Sequence, residues 1–330
     1  MVEDGKKMIE NKVINILLKQ DITDKLYIEV VCEAEGEASI AVISGMHTNF
    51  IYLSKNNNVI LDKKHETSEE HDDTLKVDLT FKKVYDFSMT APFDDISFIL
   101  ESARINKAAA EMAFKGNYGH GLGKMLGSRV NGIMGNSLFT TVLSYTSAAC
   151  DARMAWAMIP VMSNSGSGNQ GIAATLPIVI YADENINTEE ELARALMLGH
   201  LTPIYIKQYL GRLSALCGCV VAATGTSCGI VHLMGGSYEQ VCYAVKNMIA
   251  NLTGMICDGA KPSCSMKVTS GVSTAIFSAM MAIENKYVSS VEGIIDDDVD
   301  KCIRNLAQIG LQGMEETDKL VLDIMTHKDS

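Results

Sequence analysis

The sequence predicts an α+β protein: a small N-terminal α+β part, followed by a mainly helical domain. Three observations carry that prediction. Two β-rich runs, residues 26–34 and 37–44, are separated by Glu35-Gly36, a short hairpin signal. Leu75, Val77, Leu79 and Phe81 alternate with Lys76, Asp78, Thr80 and Lys82, the period of a strand with one buried face. Beyond Pro92, apolar Ile96, Ile99, Leu100, Ala103, Ala110 and Phe114 recur at helical spacing. The expected division is therefore 1–92 for the N-terminal part and 93–330 for the helical domain.

Taken in order, residues 47–53 read as a third strand, ended by the polar turn Lys55-Asn56-Asn57-Asn58. The Lys/Glu/His/Asp-rich stretch 63–73 reads as a solvated connection. In the helical part, Thr188 followed by Glu191 is a capping box opening a helix over 189–198. Ser237 followed by Gln240 is another, starting a helix through Leu252 with Val241, Ala244, Val245, Met248 and Ile249 on its apolar side. Two amphipathic helices close the chain, about 298–309 and 315–325. No internal repeat or low-complexity tract interrupts this order.

Composition narrows the function. With 47% hydrophobic and 21% charged residues in 330, the chain has ample material for a core. A net charge of −12 argues against a nucleic-acid surface, since phosphates need neutralising. Residues 1–11 are charged and lack an apolar leader segment, and the apolar run 138–162 is broken by Asp151 and Arg153. Neither a secretion signal nor a membrane partner is expected. Nine cysteines, an odd number, then read as reduced thiols in the cytoplasm. Nineteen methionines and long apolar helices point to an extensive subunit interface, hence a homo-oligomer.

Three stretches carry chemistry. The first, Ser163-Asn164-Ser165-Gly166-Ser167-Gly168-Asn169-Gln170-Gly171, formally contains G-x-G-x-x-G with acidic Glu189 downstream. A dinucleotide site needs a preceding strand, whereas residues 147–158 read as helix and Glu189 opens a capped one. The better reading is an anion pocket: successive small residues expose backbone N–H groups, and Ser and Asn side chains add donors for a substrate carboxylate. The alternative is a flexible loop that lets helices pack closely.

The second is the cysteine set. Cys217-Gly218-Cys219 and Cys257-Asp258-Gly259-Ala260-Lys261-Pro262-Ser263-Cys264 place thiols among small residues at the two ends of one helical segment. Thiolates suit zinc or an iron–sulfur cluster, and the C-x-x-C pairs typical of zinc are absent. Cys217, Cys257 and Cys264 are the candidate metal ligands, against the alternative of small buried hydrophobes. Packing is the better reading for Cys242 and Cys302, on apolar helix faces, and for Cys32 in a strand. Cys150 and Cys228 stay open. The third is a scatter of acid–base residues: His200, His120 and Lys267.

These residues resemble the L-cysteine desulfidases, relatives of the α chain of iron–sulfur L-serine dehydratases. The matching segments are 163–171, Leu216-Cys217-Gly218-Cys219, Gly254-Met255-Ile256-Cys257-Asp258-Gly259-Ala260-Lys261 and Gly45-Met46-His47-Thr48-Asn49. The resemblance implies a 4Fe-4S enzyme, independent of pyridoxal phosphate, that converts L-cysteine to hydrogen sulfide, ammonia and pyruvate. Cys217 and Cys257 match two cluster-ligand positions, and Cys264 is the next candidate. Family members usually carry an N-terminal portion with Gly-Cys-Thr-Glu-Pro, whose cysteine is thought to complete the cluster; this sequence contains no such motif. Truncation, a separate N-terminal subunit, or substitution by Cys264 or Cys219 would account for that. The implied chemistry has Ser163, Asn164, Ser165, Gly166, Ser167, Gly168 and Asn169 holding the substrate carboxylate, Asp258 and Lys261 orienting, and His200 or Lys267 moving the proton. L-serine dehydration, or a non-catalytic subunit, is the alternative.

Overall fold

The structure, a computed structural model, describes residues 2–22, 24, 26–46, 48–63, 79–128, 135–211 and 213–327. It divides into two compact units, Met1–Asp78 and Leu79–Ser330.

The first unit holds helix α1 (Val2–Glu10) and an antiparallel meander in the order β1 (Tyr27–Ala34), β2 (Glu37–Ser44), β3 (Phe50–Lys55), β4 (Asn58–Asp62). Register runs from Tyr27 opposite Ser44 to Ala34 opposite Glu37. Glu35 (φ 52°) and Gly36 (φ 83°) both take left-handed backbone, the two-residue turn whose twist matches the flanking strands. Asn56 (φ 48°) and Asn57 (φ 64°) repeat that device. The expected polar turn is therefore a hairpin tip, and it leads into β4, a strand the sequence reading left out. His47 and residues 64–73 of the expected connection lie outside the described residues.

In the second unit, the period-two reading that ended at Phe81 does not hold for the residues described. Thr80 instead caps helix α2 (Phe81–Thr90), accepting from Lys83 N–H at 3.2 Å. Phe81 and Val84, one turn apart, are buried in the main core. Anchored there, α2 belongs to the helical unit, so the compact division falls before Leu79 rather than near residue 92. Leu75 and Val77 lie outside the described residues. The helical spacing beyond Pro92 is realised as α3 (Phe93–Ile96), a 3-10 turn (Ser97–Ile99) and α4 (Leu100–Lys115).

The remaining elements are α5 (Leu122–Gly127), α6 (Leu138–Met154), α7 (Gly168–Asn185), α8 (Glu189–Leu210), α9 (Gly218–Leu233), α10 (Tyr238–Leu252), α11 (Cys264–Ile283), α12 (Val299–Gln308), a π-helical turn (Ile309–Gly313) and α13 (Glu315–Thr326). Both capping boxes form, Thr188 with Glu191 and Ser237 with Gln240. Central α9 is buried from Cys219 to Val231 and packs against α7, α8, α10 and α11. Its run of Ala, Gly, Ser and Thr lets neighbours approach closely. Helix α8 does not stop at residue 198 as expected but continues through Pro203. Proline lacks the N–H that would bond the Gly199 carbonyl, and that carbonyl faces α9, where a Cβ on Gly225 would come 2.0 Å from it. Helix α11 is long and apolar enough to cross a membrane by length and composition, yet here it packs on α6, α9 and α10.

Candidate functional site

Cys217 is the N-cap residue of α9 and Cys264 is the first residue of α11. A single antiparallel bridge, Leu216 opposite Ile256, draws their loops together. Across it, Cys217 N–H donates to the Met255 carbonyl at 2.8 Å and Cys257 N–H donates to the Ala215 carbonyl at 2.6 Å. The two cysteines matched by resemblance thus stand on adjoining extended segments. Cys264 joins them, its thiol directed at the Gly259 carbonyl at 3.7 Å.

Two further thiols complete the nest. Cys150, from α6, is wholly buried and donates to Asn169 Oδ1 at 3.4 Å. Cys219 lies in the first turn of α9. The five sulfurs influence one another. The Cys219 thiol, helped by backbone N–H groups of α9 and by Lys267, pulls the Cys217 pKa down, as a helix N-terminus and a nearby cation do. The same thiol pairing, with burial, pushes Cys219 up. Burial raises Cys150, with Cys264 and Cys217 adding to it. Burial also raises Cys257.

Two lysines face these thiols. Lys207 of α8 is 8% exposed; burial lowers its pKa, while Cys257 and Cys217 oppose that shift. Lys267 donates to the Ile256 carbonyl at 2.8 Å and pairs with Asp258. Burial works against its charge, but Asp258, Cys217 and Cys257 together raise its pKa, so it stays a cation. Lys261 pairs with the same carboxylate at 2.5 Å. Lys261 and Lys267 together hold Asp258 down at about 2.

The 163–171 stretch is a tight turn followed by a helix start. Asn164 and Ser167 exchange backbone hydrogen bonds at 3.0 Å each way, around Ser165 (φ 50°) and Gly166 (φ 80°). Ser167 caps α7, accepting from Gln170 N–H. The Asn164 amide donates to His200 Nδ1 at 3.1 Å and to its carbonyl at 3.0 Å. Thr175 gives its hydroxyl proton to the Gly171 carbonyl at 2.7 Å, so its oxygen accepts from His200 Nε2 at 2.9 Å. That network assigns the neutral Nε2–H tautomer, and burial lowers the His200 pKa to about 4. The face turned to the thiols is the first turn of α7. Asn169 meets Cys150, and a Cβ on Gly218 would lie 2.6 Å from Gln170 Nε2. Among the described residues, Gln170 Oε1 is buried without a hydrogen-bond partner.

Sequence reasoning named Gln170 only as part of the 163–171 stretch, did not single out Lys207, and left Cys150 open. Cys150 sits mid-helix without a motif, and Lys207 falls beyond residue 198, where the helix was expected to end. His120 lies in the loop before α5, near Asp151.

The donor chemistry here is all thiol, balanced by lysines, which suits an iron–sulfur group. Among the described residues, no three His, Cys, Asp or Glu side chains converge as a site for one metal ion. A 4Fe-4S cubane is larger than an ion, so its cysteine ligands need not converge as closely as those of a single metal.

Known proteins share this chain's sequence throughout. A UPF0597 protein of Bacteroides fragilis is 69% identical over 328 residues, covering 99% of this chain and 76% of that protein. A UPF0597 protein of Bacteroides thetaiotaomicron is 68% identical with the same coverage. One from Oleidesulfovibrio alaskensis is 42% identical over 327 residues, with 99% and 76% covered. The profile of the serine dehydratase alpha chain matches residues 14–323. A match over nearly the whole length, on a helical unit that gathers the cysteines at one place, has one reading: the chain belongs to the serine dehydratase alpha chain family.

Proposed function

We propose that this chain is a β-eliminating lyase acting on a small amino acid, with L-cysteine as substrate: L-cysteine and water give pyruvate, ammonia and hydrogen sulfide. The observation that carries the reading is the bridge that sets Cys217 beside Cys257, with Cys264 next to them. A 4Fe-4S group held by these three cysteines would supply a Lewis-acidic iron with an open coordination position.

The chain's own residues would do the rest. Lys207 and Lys267 offset the negative charge of the thiolates, and Asp258 keeps Lys267 cationic and aimed. A lysine held in that state acts as a fixed charge rather than a base. His200, neutral and engaged at both ring nitrogens, is a positioning residue that ties the 163–167 turn to α8. The positive end of α7, opening at Gly168 and Asn169, attracts the substrate carboxylate. Gln170 Oε1, lacking a donor, accepts from the substrate ammonium.

L-Serine is the second reading, favoured by the family the chain matches. Its hydroxide leaves less readily than thiolate, so it demands stronger protonation. The test is anaerobic reconstitution with iron and sulfide, followed by pyruvate release from L-cysteine and L-serine side by side. Faster turnover of L-cysteine supports the proposal; preference for L-serine selects the alternative. Cluster-loaded protein inert to both would sink the lyase reading for this chain.

A further inference from the structure

Helix α11 is apolar on its outward side as well as its inward one. Val268, Val272, Ala275 and Ala279 are buried, and the helix packs on α6, α9 and α10. On the other side Met266, Phe277, Met280 and Met281 are 58%, 54%, 53% and 42% exposed. A helix at a protein surface ordinarily turns charged residues outward. The twenty residues of α11 contain one charge, Lys267, whose ammonium is engaged by Asp258 and the Ile256 carbonyl. The outward face therefore carries large apolar side chains and no free charge along its whole length, the mark of an interaction surface.

The pattern on that face shows what fits it. Between Met266 at one end and Phe277, Met280 and Met281 at the other lie Ser270, Ser273 and Thr274, none of them buried. At 100° per residue these seven positions fall within about 120° of the helix circumference. The small residues make a shallow groove between large ones, into which the ridge of another helix can pack. Ser270 donates its hydroxyl to the Met266 carbonyl at 3.1 Å and Ser273 to the Thr269 carbonyl at 2.8 Å. Both protons are used within the helix, so covering these residues strands no donor.

Laid antiparallel on a second copy of itself, with a two-fold axis between Ser273 and Thr274, α11 is complementary to its own face. Met266 meets Met281 and small Ser270 receives large Phe277, each contact made twice, as an isologous interface requires. Glu284, the residue after α11, comes to the second copy's Ser263, where the positive end of that helix attracts a carboxylate. Phe139 of α6 stacks on Phe277 with ring centroids 5.4 Å apart, widening the strip toward the roughly 800 Å² per partner of a stable interface. Hydroxyls at the middle of the face suit a helix neighbour better than lipid tails.

We propose that this chain forms a two-fold dimer through α11, whose outward face pairs antiparallel with the same face of a second copy. The facing residues lie outside the thiol nest, and the dimer does not rest on the lyase reading.

The test is sedimentation velocity of the full chain over a concentration series, with a thiol reductant so that exposed Cys32 does not cross-link copies. The wild type should pass from monomer to dimer as concentration rises. Phe277→Glu sets a charge on the face and should raise the dimer dissociation constant at least about tenfold. Because Phe277 also stacks on Phe139, Ser270→Glu is the second variant. Its position is exposed in the single chain, so thermal melting of the monomer should be unchanged while the dimer weakens in the same direction. Ile186→Glu, at an apolar residue 90% exposed on the C-terminal cap of α7, is the control and should leave the dimer in place. A monomeric mass at every concentration, a dimer kept by both variants, a dimer weakened equally by Ile186→Glu, or capture of the wild-type monomer by phosphatidylcholine vesicles would each overturn the proposal.

Discussion

Cys217 and Cys257 are held side by side by two backbone hydrogen bonds, Cys217 N–H to Met255 and Cys257 N–H to Ala215, flanking the Leu216–Ile256 pair. Both bonds belong to the main chain, so the pairing of the two segments does not depend on the thiols themselves. Either cysteine can therefore be changed without dismantling the bridge.

Cys257→Ala should abolish the broad brown cluster absorption and turnover after anaerobic reconstitution. Only a half-buried thiol is removed, so the stability loss should stay near 1 kcal/mol. Spectra, pyruvate assay and thermal melting on one preparation check this. Full activity in the variant would refute the ligand assignment.

Gly218→Ala tests whether Gln170 lines the site. The added Cβ would come 2.6 Å from Gln170 Nε2 and 2.7 Å from its Cδ, and a flexible side chain yields. Folding should survive while kcat/KM falls on the order of tenfold, through displacement of a positioning group. Unchanged kinetics would remove Gln170 from the site.

Gly225→Ala tests the crossing of α8 and α9. Its Cβ would lie 2.0 Å from the Gly199 carbonyl oxygen and 2.7 Å from Pro203 Cδ, neither of which can swing aside. A loss of about 2–4 kcal/mol is expected, a drop in Tm on the order of 10 °C. Gly5→Ala, with nothing within 4 Å, is the control and should leave that transition in place.

The histidine network makes a pH prediction. Burial lowers the His200 pKa to about 4, below the unfolded value of about 6.5, so the unfolded chain binds the proton first. Stability is therefore complete above about pH 6.5 and falls as pH drops toward 4, by on the order of 3 kcal/mol for this residue. The stability difference between wild type and His200→Gln, measured by denaturation between pH 7 and 4, should narrow steadily on acidification. A difference independent of pH would mean that His200 is not held neutral.

Much of this was legible in the chain. Local signals acted where local chemistry decides: both capping boxes, the Glu35-Gly36 hairpin and the tail helices formed as expected. They misled at Phe81 and beyond residue 198, where the helix runs on through Pro203. Alternation across Thr80–Lys82 is also the start of a capped helix, and a proline is tolerated where the carbonyl it strands finds a close neighbour on another helix. Cys217, Cys257 and Cys264 could be named from sequence because small residues and family likeness mark them. Lys207 could not, because nothing in its own neighbourhood distinguishes it, and Gln170 was visible only as part of the 163–171 stretch, without a role of its own.

The sequence by itself determined the α+β class and the relationship to the serine dehydratase alpha chain, and it offered candidate thiols, since composition, periodicity and motif are properties of the chain read locally. Only the tertiary structure decided which groups meet. It set Cys217 against Cys257, brought two lysines to face them and engaged both nitrogens of His200. Those outcomes depend on packing between segments distant in sequence, where burial and hydrogen-bond satisfaction are settled across helices rather than along one.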